Sequence, residues 1–288
     1  MTVIQTIEAN GLTFGYLEAG HGPLALCLHG FPDSAHTWRH LLPALADAGY
    51  HAVAPFQRGY APTSVPADGA YQTGALAADA NALHAALGGG ADAVLIGHDW
   101  GAAATYAAAA HAPGRWRRAV AMAVPPISAL ASGFFDYDQL RRSFYMFLVQ
   151  TPLGAPAVAA NDMAFLDRLW ADWSPGYDAA EDLAHAKACL REPANLSAAM
   201  GYYAAMFDAS RHKPAYAAEQ ESAGARGERP TLYLHGRDDG CLDVSLAGDV
   251  AAHLPPGSRT EIIPRAGHFL HLERPDAVNA LILEWLAA

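Results

Sequence analysis

Gly97-His98-Asp99-Trp100-Gly101 sets a carboxylate between two glycines, each two residues away from it. That spacing suits a sharp strand-to-helix elbow of the G-x-S-x-G type, in which small residues let the backbone bend and lift the central side chain above a parallel sheet. The flanks agree with it. Ala91 to Ile96 reads as a short buried strand, and Ala102 to Ala107 is a run of strong helix formers. Asp99 is therefore expected at the top of a strand, although an aspartate capping a helix N-terminus is the common bland alternative for this residue type.

The residue at the elbow redirects the chemistry. A carboxylate attacking an acyl group gives only an anhydride, whereas against a tetrahedral carbon with a strained or good leaving group it gives an alkyl ester on the protein. Water must then attack the Asp99 carbonyl, which calls for a general base and an oxyanion site. The rest of the chain is expected to supply both.

The 288 residues suffice for one large domain or a core with one insertion, and 52% hydrophobic with 16% charged residues is ordinary globular composition. A net charge of -11 argues against nucleic acid and anionic membrane surfaces, both of which need a basic face. Met1 to Glu8 carries neither a basic segment nor a long apolar stretch, so no secretory leader is expected, and no apolar run in the sequence approaches the length needed to cross a bilayer. Cys27, Cys189 and Cys241 are odd in number and lack paired spacing, which fits a cytoplasmic protein. The 14 histidines form no zinc or iron pattern, and no metal or organic cofactor is expected.

Strand-like segments near 2 to 8, 13 to 18 and 24 to 28 open the chain. A helix over 37 to 48, a strand over 51 to 55, a helix over 71 to 87 and, after the elbow helix, a strand over 118 to 124 follow. That alternation predicts an α/β fold with a mostly parallel sheet flanked by helices. It breaks at Pro125-Pro126 and resumes at Thr231-Leu232-Tyr233-Leu234-His235. The stretch between is rich in helix formers, aromatics and methionine, and reads as a helical cap over the carboxyl ends of the strands. The expected division is a core of 1–125 with 230–288 and a cap of 126–229. A helix near 243 to 254, a strand near 259 to 263 and a helix near 275 to 286 close the pattern.

His29-Gly30-Phe31-Pro32 follows the third strand, which lets the backbone N–H of Phe31 point into the same pocket as that of Trp100. Two such donors suit an oxyanion on Asp99. Downstream, Gly236-Arg237-Asp238-Asp239 ends a strand and Ala266-Gly267-His268-Phe269 lies in the loop after the next one. Nucleophile, acid and histidine then run in that order along the chain. Asp239 is preferred to Asp238 for its place in a Gly-x-x-Asp turn, and His268 to His271 because it directly follows Gly267.

With these four motifs in place the chain resembles the α/β-hydrolase superfamily over nearly its whole length, and an aspartate nucleophile narrows the resemblance to epoxide hydrolases and dehalogenases. The resemblance to epoxide hydrolases implies two cap tyrosines that hydrogen-bond the epoxide oxygen. Tyr145-Met146-Phe147-Leu148-Val149-Gln150 is similar to the segment of the first, with Val149 in place of an aromatic. Gly201-Tyr202-Tyr203-Ala204 is similar to that of the second, with Ala204 in place of arginine.

The implied reaction opens an epoxide to a vicinal diol. Asp99 forms the ester, Tyr145 and Tyr203 serve the leaving oxygen, and His268 oriented by Asp239 activates water. Phe31 and Trp100 form the oxyanion hole and, with Phe147 and Trp170, line a pocket for a small apolar organic substrate; the protein is expected as a monomer or homodimer. The alternative is a haloalkane or haloacid dehalogenase with the same nucleophile, in which Trp170 or Trp173 would bind halide. A non-catalytic ligand-binding protein on the same scaffold is the reading from another class, but it has no use for a nucleophile beside a base.

Overall fold

The computed structural model describes residues 3–131 and 133–288. It opens on an antiparallel hairpin, β1 (Gln5–Ala9) and β2 (Leu12–Ala19). Asn10 and Gly11, with φ of 47° and 72°, make its two-residue turn, the positive-φ pair that keeps the strands' natural twist. The expected start at Thr2 lies outside the described residues.

Next come β3 (Leu24–Leu28), α1 (Leu41–Asp47), β4 (His51–Pro55), α2 (Thr73–Ala86), β5 (Val94–His98), α3 (Trp100–His111) and β6 (Arg118–Met122). After β6 stand α4 (Ile127–Leu130), α5 (Tyr137–Arg142), α6 (Phe144–Leu148), α7 (Gly154–Trp173), α8 (Ala180–Leu190), α9 (Pro193–Phe207) and α10 (Ala217–Ser222). The chain ends with β7 (Thr231–Gly236), α11 (Val250–His253), β8 (Arg259–Ile263), α12 (Leu270–Glu273) and α13 (Pro275–Ala287).

Eight strands form one sheet in the order β1-β2-β4-β3-β5-β6-β7-β8, with every pair from β4 onward parallel. β3 and β5 are buried at every position, as strands covered on both faces must be. The chain leaves β3 toward β4 on one side and returns to β5 on the other. The carboxyl ends of β3 and β5 therefore flank the switch point where open α/β sheets hold their ligands. α10 packs against α2 and α3, and α1 against α13.

Two expected helices take a different form. A helix over 37 to 48 would put Pro43 in its interior, without an N–H and in conflict with the preceding turn. The chain instead makes a 3-10 turn over Ala35–Trp38 and starts α1 at Leu41, so that Pro43 falls in the first turn. The stretch 243 to 254 splits into a 3-10 turn over Val244–Ala247 and α11, with Asp243 accepting from the Ser245 N–H at the start. That local side-chain bond competes with a continuous helical ladder.

Among the described residues no strand lies between β6 and β7. α6 and α9 bring Tyr145 and Tyr203 against Phe31 and Trp100, over the ends of β3 and β5. Within α7 the helical ladder is interrupted at Asn161–Met163, whose φ values are 51°, 52° and 59°. No helix among the described residues is long and apolar enough to cross a membrane.

Candidate active site

β5 runs straight into Asp99, whose φ of 54° and ψ of -119° lie outside the regions a non-glycine residue ordinarily visits. The surroundings over-determine that turn. A Cβ on Gly97 would meet the Gly101 carbonyl oxygen at 2.1 Å, and one on Gly101 would meet the Leu28 carbonyl oxygen at 2.0 Å. The Asp99 N–H donates to the Met122 carbonyl at 3.2 Å, and Thr105 Oγ1 donates to Gly101 at 2.8 Å. Strain concentrated at one residue and held from several sides is the mark of a side chain placed for use.

The loop after β3 approaches from one side. The Phe31 N–H donates to Asp99 Oδ1 at 2.7 Å. Gly30 makes this approach possible, because a Cβ there would meet the same oxygen at 2.1 Å. His29 fixes the loop, with Nδ1 2.9 Å from the Gly30 carbonyl and Nε2 accepting from the Gln57 N–H at 3.0 Å. Burial lowers its pKa to about 4, in keeping with a neutral ring that donates at one nitrogen and accepts at the other. Trp100 is the first residue of α3, and its backbone N–H lies outside the helix's own ladder.

His268 arrives from the loop after β8. Its Nδ1 lies 3.0 Å from Asp239 Oδ2, and its Nε2 lies 3.7 Å from Asp99 Oδ2 with no hydrogen-bond partner of its own. Asp239 is fully engaged, since its Oδ1 accepts from the N–H groups of Cys241 at 2.7 Å and Leu242 at 2.9 Å. Burial alone would raise the Asp239 pKa, but His268 and these donors hold it below its ordinary value. Burial likewise opposes a charged His268, yet Asp239 and Asp99 outweigh it and lift its pKa to about 10. Three buried groups thus share charge in a chain of carboxylate, imidazolium and carboxylate.

Above Asp99 stand the two tyrosines, both buried, with ring centroids 5.5 Å apart and nearly perpendicular. The Tyr145 hydroxyl lies 3.6 Å from Cys241 Sγ. The buried Tyr203 hydroxyl stands beside Tyr145 and Trp100. Burial pushes both phenols well above their ordinary pKa, and the Asp99 carboxylate adds to the effect. Both are neutral hydroxyls within electrostatic reach of the Asp99 carboxylate. A cavity of about 350 Å³ opens from Asp99, Trp100 and Tyr203 and continues along α3.

Residues 23–275 match the family model of the alpha/beta hydrolase fold. The chain belongs to that family. It is 32% identical to Epoxide hydrolase A of Mycobacterium tuberculosis, over 97% of this chain and 96% of that one. It is also 29% identical to an AB hydrolase superfamily protein of Bacillus subtilis, over 98% and 97%. The crystal structure of Epoxide Hydrolase A from Mycobacterium thermoresistibile superposes with a TM-score of 0.80 at 29% identity, covering 100% of this chain and 99% of that one. This α/β-hydrolase is thus most like epoxide hydrolases.

Seven of the residues singled out from this hydrolase's sequence converge: Asp99, His268, Asp239, Tyr145, Tyr203, Phe31 and Trp100. Two do not. Phe147, expected in the substrate pocket, is 41% exposed and packs on Phe207, because the short α6 that buries Tyr145 turns Phe147 to the other side. Trp170 is buried away from the cavity, stacked on Phe269, with its indole N–H donating to the Pro32 carbonyl at 2.9 Å. It fastens α7 to the loop after β3 instead of lining the pocket.

Several site residues carried no signal in the sequence. Cys241, noted in the sequence only as one of three unpaired cysteines, is buried, lines the cavity and touches Tyr145. Ala103, Tyr106 and Gln220 line it from helices with no motif to mark them. Behind the site, Asp33, His98 and His271 offer atoms within 4.8 Å of one another. Asp33 Oδ2 and the Nδ1 atoms of His98 and His271 are buried without a hydrogen-bond partner. Burial pushes the Asp33 carboxyl up to about 8 and lowers His98 to about 3. His98 Nε2, 2.9 Å from the His268 carbonyl, steadies the loop that carries the imidazole.

Proposed function

We propose that this α/β-hydrolase opens an epoxide to a vicinal diol through an alkyl ester on Asp99. One observation carries the proposal. A strained, buried carboxylate has one oxygen on a backbone N–H, the other 3.7 Å from an unpartnered imidazole nitrogen, and two neutral phenols beside it. The names of its relatives point the same way. We read the helices between β6 and β7 that carry Tyr145 and Tyr203 as the cap.

In this scheme Asp99 attacks a ring carbon while Tyr145 and Tyr203 hydrogen-bond the oxygen, and one of them transfers its proton as the C–O bond breaks. The imidazolium of His268 returns a proton to that phenolate. Esterification removes one of the two negative charges that sustain the proton on His268, so the ring becomes neutral when a base is needed. His268 then takes a proton from water, and the hydroxide adds to the Asp99 carbonyl with its oxyanion on the N–H groups of Phe31 and Trp100. Collapse of that intermediate breaks the acyl C–O bond. The diol leaves with the carboxyl proton, and the charged pair of the resting state is restored.

A halide leaving group would need donors in the pocket; Trp170 has already given its indole N–H to Pro32, which leaves Trp173, packed on Tyr145 and His268, as the remaining candidate. Phenols suit an alkoxide, which must accept a proton as it forms. The test is a single turnover of styrene oxide in oxygen-18 water. The first diol should be unlabelled while Asp99 gains the label; label in the first diol would sink the covalent route. Asp99→Ala should form no diol, and halide release from haloalkanes without diol from epoxides would favour the dehalogenase.

A further inference from the structure

The cavity has a direction. On α3, Trp100, Ala103 and Tyr106 line it at intervals of three residues, which places them on one helical face running away from Asp99. Across from them α10 presents Gln220 and, just past its end, Ala223 and Gly224. α9 roofs the space with Tyr203 and Met206, and Val124, Pro125 and Ile127 close the side after β6. At the far end Ile127 is 49% exposed, Met206 is 37% exposed and Gly224 is exposed. The space is a channel from the carboxylate to solvent.

Three of its polar side chains are bonded to the protein. Tyr106 donates its hydroxyl to the Val124 carbonyl at 3.2 Å, His212 Nε2 lies 2.8 Å from the Ala205 carbonyl, and Gln220 Oε1 accepts from the Gly74 N–H at 2.8 Å. Among the described lining residues no lysine, arginine or glutamate appears, and Asp99 is the sole carboxylate. A charged tail would find no counter-ion there. Ala103, Ala205, Ala223 and Gly224 leave the bore open.

We infer that the channel along α3 selects epoxides bearing an unbranched, uncharged alkyl chain of about eight carbons. Tyr106 lies seven positions beyond Asp99, so the channel follows α3 for about 10 Å at 1.5 Å per residue. At about 1.3 Å per bond of an extended chain, that length takes roughly eight carbons. Longer chains emerge at the mouth beside Ile127 and Gly224 and gain nothing more. The inference rests on the epoxide-opening reading for its reactive group, and on the channel alone for its tail.

Calorimetric titration with 1,2-alkanediols of four to twelve carbons tests the tail without needing turnover. Affinity should rise by about threefold to fourfold per methylene and level off near eight carbons. Ala103→Leu on one wall and Ala223→Leu on the other should each bring the plateau down to shorter chains. An affinity that does not depend on length, or a plateau that neither variant moves, would overturn the inference. Turnover of 1,2-epoxybutane and 1,2-epoxyoctane by the unaltered protein is measured alongside. If neither is opened while the diols still bind by length, the reaction assigned to Asp99 falls and the channel stands. If both are opened at equal kcat/KM and the diols bind without regard to length, the channel falls and the reaction stands.

Discussion

Asp99 and Asp239 are both buried carboxylates at the ends of sheet strands, and they are treated in opposite ways. Asp239 spends its oxygens on two backbone N–H groups and one imidazole. Asp99 keeps one oxygen on the Phe31 N–H and leaves the other 3.7 Å from His268, on a backbone turn with positive φ. A satisfied carboxylate holds its partner in place, while an under-satisfied one facing a cavity stores the capacity to react. The two differ in hydrogen bonding and backbone strain more than in burial.

The contrast can be broken at each end. Asp99→Asn should reduce epoxide turnover by roughly 10^6-fold, the scale for losing a nucleophile. It should leave Tm within about 2 °C, because an amide oxygen still accepts from Phe31. A large loss of Tm would mean that Asp99 is as structural as Asp239. Asp239→Asn should cost about 10^4-fold in kcat by misorienting His268 and should also lower Tm by several degrees, reflecting ~1–3 kcal/mol for a buried network left unsatisfied. Full Tm with slowed turnover would show that its bonds to Cys241 and Leu242 contribute little.

Gly30→Ala probes the approach of the loop to Asp99, since the added methyl would lie 2.1 Å from Oδ1. A shift of about 1 Å in the proposed nucleophile should cost on the order of 10^2-fold in kcat/KM, and unchanged kinetics would show that the loop gives way freely. The smallest effect concerns pH. His268 is raised to about 10 in the folded protein from an ordinary 6.5, so its contribution to stability is complete below pH 6.5 and lost as pH rises toward 10. Melting curves of the wild type and His268→Gln should therefore converge across that window. Asp33, raised to about 8, falls away in both proteins and does not alter the difference. Parallel curves would show that His268 carries no extra proton in the fold.

The motifs legible in the sequence are those whose chemistry is local. Gly97, Asp99 and Gly101 announce a strained turn because only glycine fits where a Cβ would meet a carbonyl oxygen at about 2 Å. The alternation of apolar runs and helix formers announces the parallel sheet because each buried strand needs helices on both faces. His268 and Asp239 are readable because their loops follow consecutive strands in a parallel sheet, which brings their ends to one edge. Pro43 states its constraint as plainly, since a helix interior does not accept it, although the helix expected over 37 to 48 ran through it.

What only the tertiary structure decides is which way side chains face once distant segments meet. In a helix as short as α6, a step of two residues separates the buried Tyr145 from the exposed Phe147, and no periodicity over five residues fixes which of them faces inward. Whether Trp170 lines a pocket or donates to Pro32 depends on where the loop after β3 lies, 138 positions away in sequence. The channel along α3 is made of alanines, a glycine and backbone-bound polar groups from segments far apart in sequence, each individually unremarked. The sequence determined the candidate site groups and the sheet that gathers them; the shape of the space they face arises only when α3, α9 and α10 pack, because an empty volume belongs to no residue.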